Sequence, residues 1–164
     1  MIRILFVCMG NICRSPMAQG VLENRLKEQR IQNRVEVDSA ATHQYHTGAS
    51  PDARGVAAAG RRGIDISRQR ARPVRGDDFL DFDLILAMDA DNERALRELC
   101  PAEHHGRVRR ITEFAPQLRG DEIPDPYYGG HDGFEEVLDM LEMCMHGVVD
   151  ELHARLDVRN TTAV

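Results

Sequence analysis

The sequence predicts an α/β protein, a three-layer α/β/α sandwich in which helices cover both faces of a central four-stranded parallel sheet. Three observations carry this. The run Ile2-Arg3-Ile4-Leu5-Phe6-Val7 and the run Leu84–Met88 are of strand length and almost continuously apolar, as strands buried on both faces are. Segments with apolar residues at helical spacing alternate with them, and a strand, helix, strand order implies parallel pairing through right-handed crossovers. Cys8, Ser39 and Asp89 fall at the carboxyl ends of three different predicted strands, where sheets of this kind bind ligands. No internal repeat or low-complexity tract interrupts the chain. Residues 1–157 read as one domain and residues 158–164 as a short C-terminal tail.

After the first strand, Met17, Val21, Leu22 and Leu26 place a helix over Ser15 to about Arg30, with Ser15 as its N-cap and Pro16 as its first residue. Arg34 to Ser39 alternates like a second strand, and residues 40–51 are turn formers. Asp52 caps an Ala-rich helix that reaches about Arg62 and stops at Gly63. From Arg61 to Arg75 the arginines 61, 62, 68, 70, 72 and 75 stand against Asp65 alone. They read either as a rim attracting phosphorylated or acidic partners or as a solvated loop with structural ion pairs. Asp77 to Leu80 suggests a helical turn, and Asp91 to Leu99 a helix stopped by Pro101. Val108 to Ile111 suits an edge strand. Residues 115–133 form a long Pro/Gly-rich connection, a length that is usually functional. The last helix spans about Gly133 to Leu156 on a stripe including Phe134, Leu138, Leu141, Met145 and Leu152, and the chain beyond it is expected to fray.

The chemistry concentrates where the first strand meets the first helix, in Cys8-Met9-Gly10-Asn11-Ile12-Cys13-Arg14. Backbone N–H groups and the positive end of a helix dipole converge at such a junction, which suits an anion. A cysteine beside an arginine and a helix N-terminus favours the thiolate, the nucleophilic form. Arg14 offers a planar fork matched to two phosphate oxygens. Gly10 and Asn11 tolerate the positive φ of a tightly curled loop. A nucleophile on the floor of a phosphate cradle implies phosphoryl transfer to sulfur. A lone Cys after a strand is ordinarily a small buried apolar residue, so C-x5-R by itself says little. The ordered set of strand, C-x-G-N-x-C-R-S-P and helix says much more, because each residue has a separate task.

That set closely resembles the signature of the low-molecular-weight protein tyrosine phosphatases. The later stretch IPDPYYGG resembles the same family's D-P-Y-Y-G motif, and the likeness covers nearly the whole chain. The resemblance implies a sheet of order 2-1-3-4 with a phosphate-binding loop between strand 1 and helix 1. It also implies double displacement. Cys8 attacks phosphorus, Arg14 and the loop amides hold the equatorial oxygens, and Asp125 protonates the leaving phenolate and then serves as base for water. Phenolate needs such an acid, because the pKa of tyrosine is about 10. Met9, Gly10, Asn11, Ile12, Cys13, Ser15, Tyr45 and Tyr127 are implied in phosphate or substrate binding. Ser15 is expected to bond the Cys8 sulfur, Ser39 to brace Asn11, and Asp89 to support the site. Tyr45 and Tyr127 could wall a slot deep enough for a phenyl ring; Tyr128 is weighted below them. Arginine phosphatases of the family carry Thr at the position of Ile12, which favours phosphotyrosine here. In relatives the cysteine at position 13 forms a reversible disulfide with the nucleophile. Two departures stand out: Gln69 replaces a His that helps hold the active-site Ser in many members, and Ala41 replaces a common Gly.

Composition bounds the alternatives. The 164 residues, 42% hydrophobic and 29% charged, describe an ordinary globular domain, and a net charge of −6 opposes a general nucleic-acid binder. No stretch approaches the roughly 20 apolar residues of a membrane span. The apolar N-terminus is too short for a signal-peptide core. Four cysteines without a C-x2-C pair fit a reducing cytosol, so the expected location is cytoplasmic, with secretion lacking a signal peptide left open. No cofactor or metal is called for, and His43, His46, His104 and His105 are expected as exposed loop histidines. The expected partner is a phosphotyrosine-containing protein, with no nucleic acid and no membrane, and the chain is expected to be a monomer. Weak dimerisation, or phosphorylation at Tyr127 and Tyr128, stays open. Two rivals are weighed: an arsenate reductase, which would need a cysteine relay that Cys100 and Cys144 do not suggest, and a non-catalytic phosphotyrosine-binding module. A nucleotide P-loop is excluded by the absence of G-x4-G-K-[ST].

Overall fold

The computed structural model describes residues 1–129 and 131–162, with the side chain of His131 left aside. Its centre is a parallel sheet of four strands, β1 (Ile2–Cys8), β2 (Val35–Ala41), β3 (Leu84–Ala87) and β4 (Val108–Arg110), in the order β2-β1-β3-β4. The helices are α1 (Arg14–Glu28), α2 (Ala53–Gly60), α3 (Asp78–Asp81), α4 (Ala90–Leu99) and α5 (His131–Thr162). The expected architecture and strand order are those observed.

The continuous apolar strands explain the layering. Along β1, Ile4, Phe6 and Cys8 point into a core shared with α1, α2 and α5, while Leu5 and Val7 point into a second core with Phe79, Phe82, Leu96 and Val108. β3 divides likewise, Leu84 and Leu86 to one side and Ile85 and Ala87 to the other. Burying such a side chain contributes about 1.5–3 kcal/mol, so both faces must be covered. Parallel register pairs Ile2 with Val35 and Cys8 with Ala41, bringing the carboxyl ends of β1 and β2 level. Gly147 of α5 permits the close approach of that helix to the 3₁₀ turn Ile111–Phe114, since a Cβ there would collide with the carbonyl of Phe114.

Several boundaries differ from expectation. β2 runs on to Ala41, two residues past Ser39, because parallel pairing with Val7 and Cys8 carries it forward. The first helix starts at Arg14 with Cys13 as N-cap, and Ser15 does not cap it. The Ser15 hydroxyl turns inward instead, into the loop before the helix. That helix ends at Glu28, where Arg30 takes φ 58° and Ile31 N–H closes back on the Leu26 carbonyl. Residues 158–162, expected as a frayed tail, continue α5 to Thr162. Arg159 holds them there, donating to the Met1 carbonyl and to Asp83 Oδ1 at 2.9 Å. Positions 163 and 164 of the expected tail lie outside the described residues. Among the described residues no helix is long and apolar enough to cross a membrane.

Three arginines of the arginine-rich segment form structural ion pairs. Arg61 and Arg62 reach Glu135, Asp139 and Glu142 on α5, and Arg72 bridges Asp38 and Asp78. These pairs fasten the segment to the body of the fold. Arg68, Arg70 and Arg75 remain exposed.

Candidate active site

β1 ends at Cys8 and the chain curls through residues 9–13 into α1. Asn11 is the pivot. It occupies the left-handed region at φ 57°, which an Asn tolerates where most residues would not. This turn aims its N–H at the Cys8 sulfur, 3.3 Å away, and its side chain into the fold. There Asn11 Nδ2 donates to Ser15 Oγ (2.8 Å) and Ser39 Oγ (2.9 Å), while Oδ1 accepts from the Arg72 N–H at 3.1 Å. Because Ser15 Oγ accepts from Asn11, its own hydrogen is left for the Cys8 sulfur at 3.0 Å. Ser39 Oγ passes its hydrogen on to Gln19 Oε1 at 2.8 Å. Gln69 does not reach Ser15. It donates from Nε2 to the Pro16 carbonyl at 3.0 Å, supporting the first turn of α1 through the backbone. Ala41 closes the neighbouring loop by exchanging backbone hydrogen bonds with Arg72 and Val74.

Arg14 is the first residue of α1, and its side chain is only 3% exposed. Nη1 is fastened on two sides, to Asp89 Oδ2 at 2.6 Å and to the Ile123 carbonyl at 2.9 Å. Nη2 lies 3.8 Å from Asp125 Oδ2. Among the described residues neither Nε nor Nη2 donates a hydrogen bond within the protein, so one edge of the guanidinium remains for a ligand. Burial works against the charge on Arg14, but the neighbouring Cys8, Asp89 and Asp125 outweigh it and raise the pKa. Asp89 is held in turn: it caps α4 by accepting from the Asn92 N–H at 2.8 Å.

The connection after β4 brings the remaining carboxylate. Ile123 N–H donates to the Met88 carbonyl at 2.9 Å, anchoring the connection to the end of β3. Asp125 follows between Pro124 and Pro126, and its Oδ1 accepts from the Tyr127 N–H at 3.0 Å. Gly130, the last residue of IPDPYYGG, lies outside the described residues. Cys8, Arg14 and Asp125 open on one cleft of about 270 Å³, lined also by Met9, Gly10, Ile12, Cys13, Tyr45, His46, Tyr127 and Tyr128. A single cleft thus holds a thiol receiving two donors, a half-free guanidinium and a carboxyl, on the carboxyl side of the sheet.

Residues 3–158 match the model of the low molecular weight phosphotyrosine protein phosphatase family. The chain belongs to that family. A low molecular weight protein-tyrosine-phosphatase of Streptomyces coelicolor is 39% identical, with 96% of this chain and 97% of the relative covered. The human low molecular weight phosphotyrosine protein phosphatase is 38% identical over 92% of this chain and 95% of its own. Among solved structures, a protein tyrosine phosphatase of Entamoeba histolytica with Hepes in its active site superposes with a TM-score of 0.90 at 36% identity, covering 94% of this chain and 98% of that one.

Within this family frame the cleft has a membership that sequence reasoning did not foresee. His46, expected as an exposed loop histidine, is half-buried in the cleft wall, its ring 6.3 Å from that of Tyr127. It reaches the cleft because His43 N–H pairs with the Met9 carbonyl and Thr42 N–H with the Cys8 carbonyl, which lays residues 42–46 along the phosphate loop. Its place directly after Tyr45 is the sequence signal that could have found it. His43 is exposed as expected and stacks on Tyr45 at 5.3 Å, whereas His104 and His105 are half-buried in the 3₁₀ helix Ala102–Arg107. Tyr128 lines the cleft no less than Tyr45 and Tyr127 do; it is 88% exposed and stands edge-on to Tyr127 at 4.9 Å. All four cysteines are free thiols. Burial pushes the Cys13 thiol up, with Asp52, Cys8 and Asp125 adding to the effect.

Asp52, N-cap of α2, does not line the cleft but bonds the phosphate loop through its N–H to the Ile12 carbonyl, and the sequence revealed it only as a cap. Its carboxyl is held below the ordinary value of 3.8, chiefly by side-chain hydrogen bonds from Arg54. A lowered folded-state pKa contributes stability above the unfolded value and loses it as pH falls through the folded one. Asp52→Asn is therefore expected to lower the thermal midpoint at about pH 7, with the gap to the wild type narrowing as pH falls below the ordinary value of 3.8. Thermal unfolding across that range checks this, and a gap that does not narrow with acidification would contradict it.

Proposed function

We infer that this protein is a protein-tyrosine phosphatase that hydrolyses phosphotyrosine and aryl phosphates through a phosphocysteine on Cys8, with Asp125 as general acid and base. The observation that carries this is the convergence of Cys8, the free edge of Arg14 and Asp125 on one cleft. The Cys8 thiolate attacks phosphorus as the bond to the tyrosyl oxygen breaks, and the proton on Asp125 passes to that oxygen. The donors on the sulfur, Asn11 N–H and Ser15 Oγ, favour the thiolate again when it leaves. Arg14 Nε and Nη2 meet two equatorial oxygens, a match for phosphate that Lys could not provide. Asp125 then takes a proton from water as water displaces sulfur, releasing inorganic phosphate. Tyr45, Tyr127 and His46 wall the cleft over the apolar Met9 and Ile12, which suits an aryl group and leaves phosphoserine short of the sulfur. The arsenate reductase reading loses ground because Cys100 and Cys144 lie in the cores on opposite faces of the sheet, where burial raises both thiols, Cys144 to about 12. The proposed compartment is the cytoplasm, since four unpaired thiols suit reducing surroundings. The proposed partner is a phosphotyrosine-bearing protein.

The test is hydrolysis of phosphotyrosine and phosphoserine peptides in the presence of EDTA, with acid quenching to trap the phosphoenzyme and thioredoxin-coupled arsenate reduction alongside. Phosphotyrosine turnover at least about 10²-fold above phosphoserine is expected, with phosphate recovered on Cys8. Arsenate reduction without peptide turnover, or peptide binding without turnover, would overturn the reading.

A further inference from the structure

Arg54 extends from the first turn of α2 towards the connection that carries Asp125. Its Nε and Nη2 form a bidentate pair with Asp52, at 3.0 Å to Oδ1 and 2.9 Å to Oδ2. Nη2 also donates to the Tyr127 carbonyl at 2.9 Å and Nη1 to the Gly129 carbonyl at 3.3 Å. The guanidinium lies 4.7 Å from the ring centroid of Phe134 and 5.8 Å from that of Tyr127. On the other side, the Asp52 N–H donates to the carbonyl of Ile12, inside the phosphate loop, at 2.8 Å. The peptide units around Tyr127 complete the run, because its N–H holds Asp125 Oδ1. A continuous chain of bonds therefore leads from the loop of the nucleophile, through Asp52 and Arg54, to the carboxyl that faces it.

We propose that Arg54, oriented by Asp52, is a positioning residue that sets the acid-bearing connection against the phosphate loop and so places Asp125 over the leaving oxygen. This rests on the phosphatase reading with Asp125 as acid. The connection needs an external brace. Pro124 and Pro126 have no N–H to donate, and the carbonyls at 127 and 129 find their donors on Arg54. A planar, pre-organised fork can satisfy two carbonyls and a carboxylate together, which a lysine could not. Proton transfer is sensitive to the result, since a displacement of about 1 Å can cost on the order of 10²-fold in rate. Asp125 matters most where the leaving phenolate is most basic, so a fault in its placement must show as a dependence on the leaving group.

The experiment compares wild type, Arg54→Met, Arg54→Lys and Asp125→Asn on phosphotyrosine and on p-nitrophenyl phosphate, whose phenol is much more acidic. Inhibition by inorganic phosphate and thermal midpoints are measured in parallel. Arg54→Met keeps the aliphatic stem and the backbone N–H that Asp52 caps, so α2 keeps its start. Its kcat/KM, which covers attack on phosphorus and departure of the phenol but not the phosphocysteine hydrolysis common to both substrates, is expected to fall about tenfold or more on phosphotyrosine and no more than about threefold on p-nitrophenyl phosphate. Phosphate inhibition should be unchanged, and Arg54→Lys should lie between. Equal losses on both substrates, or a parallel loss of phosphate affinity, would overturn the proposal in favour of a general structural role. Should Arg54→Met fail to fold, the same comparison decides in Arg54→Lys. If Asp125→Asn is selective for the leaving group and the Arg54 variants are not, Arg54 alone is misassigned. If Asp125→Asn is itself indifferent, the acid assignment falls, and this inference with it.

Discussion

Cys8→Ser is expected to abolish turnover of both phosphotyrosine and activated aryl phosphates, a loss of about 10⁴-fold or more, while leaving the fold and phosphate binding intact. Cys8 is 2% exposed and lines the cleft, with two donors directed at its sulfur, the Asn11 N–H and Ser15 Oγ. A serine hydroxyl keeps its proton at neutral pH and needs a base to attack, whereas a thiolate needs none. Arg14 and the loop amides do not depend on the sulfur. The variant should therefore still bind inorganic phosphate or a phosphotyrosine peptide, by calorimetry, with affinity within about tenfold of wild type. Turnover retained in Cys8→Ser would remove the nucleophile assignment altogether.

Asp125→Asn is expected to lower kcat on phosphotyrosine by about 10²–10⁴-fold, the usual contribution of a positioned general acid. The change is close to isosteric. An amide oxygen can still accept the Tyr127 N–H that Oδ1 accepts at 3.0 Å, so the connection keeps its shape while the transferable proton is lost. Removing the carboxylate 3.8 Å from Arg14 Nη2 also takes a negative charge away from where phosphate binds. Inorganic phosphate should accordingly bind no worse than in wild type. A single-turnover measurement of phenol release isolates the step, and a rate unchanged from wild type would place the acid elsewhere.

Much of this site was legible in the primary structure because its parts are local. C-x-G-N-x-C-R-S-P lies within nine residues, and the geometry of a strand-to-helix turn is dictated by neighbours along the chain. Continuous apolar runs likewise disclosed a doubly covered sheet. Boundaries were less legible. Ser15 has every local property of an N-cap, yet its hydroxyl bonds Asn11 and Cys8 inside the fold. Residues 158–162 looked like a tail because the anchors of Arg159, the Met1 carbonyl and Asp83, are far away in sequence.

The fold class, the family and the three groups from which chemistry is expected are all readable in the primary structure, since they follow from short-range patterns of apolar, turn-forming and charged residues. Their surroundings come from long-range packing. It turned Asp89 into the anchor of Arg14, brought His46 into the cleft wall, and joined Asp52 and Arg54 to the connection bearing Asp125. The Arg14–Asp89, His46–Tyr127 and Arg54–Tyr127 contacts each span more than seventy residues, and they exist because parallel strands deliver their carboxyl ends, with the loops that follow, to one edge of the sheet.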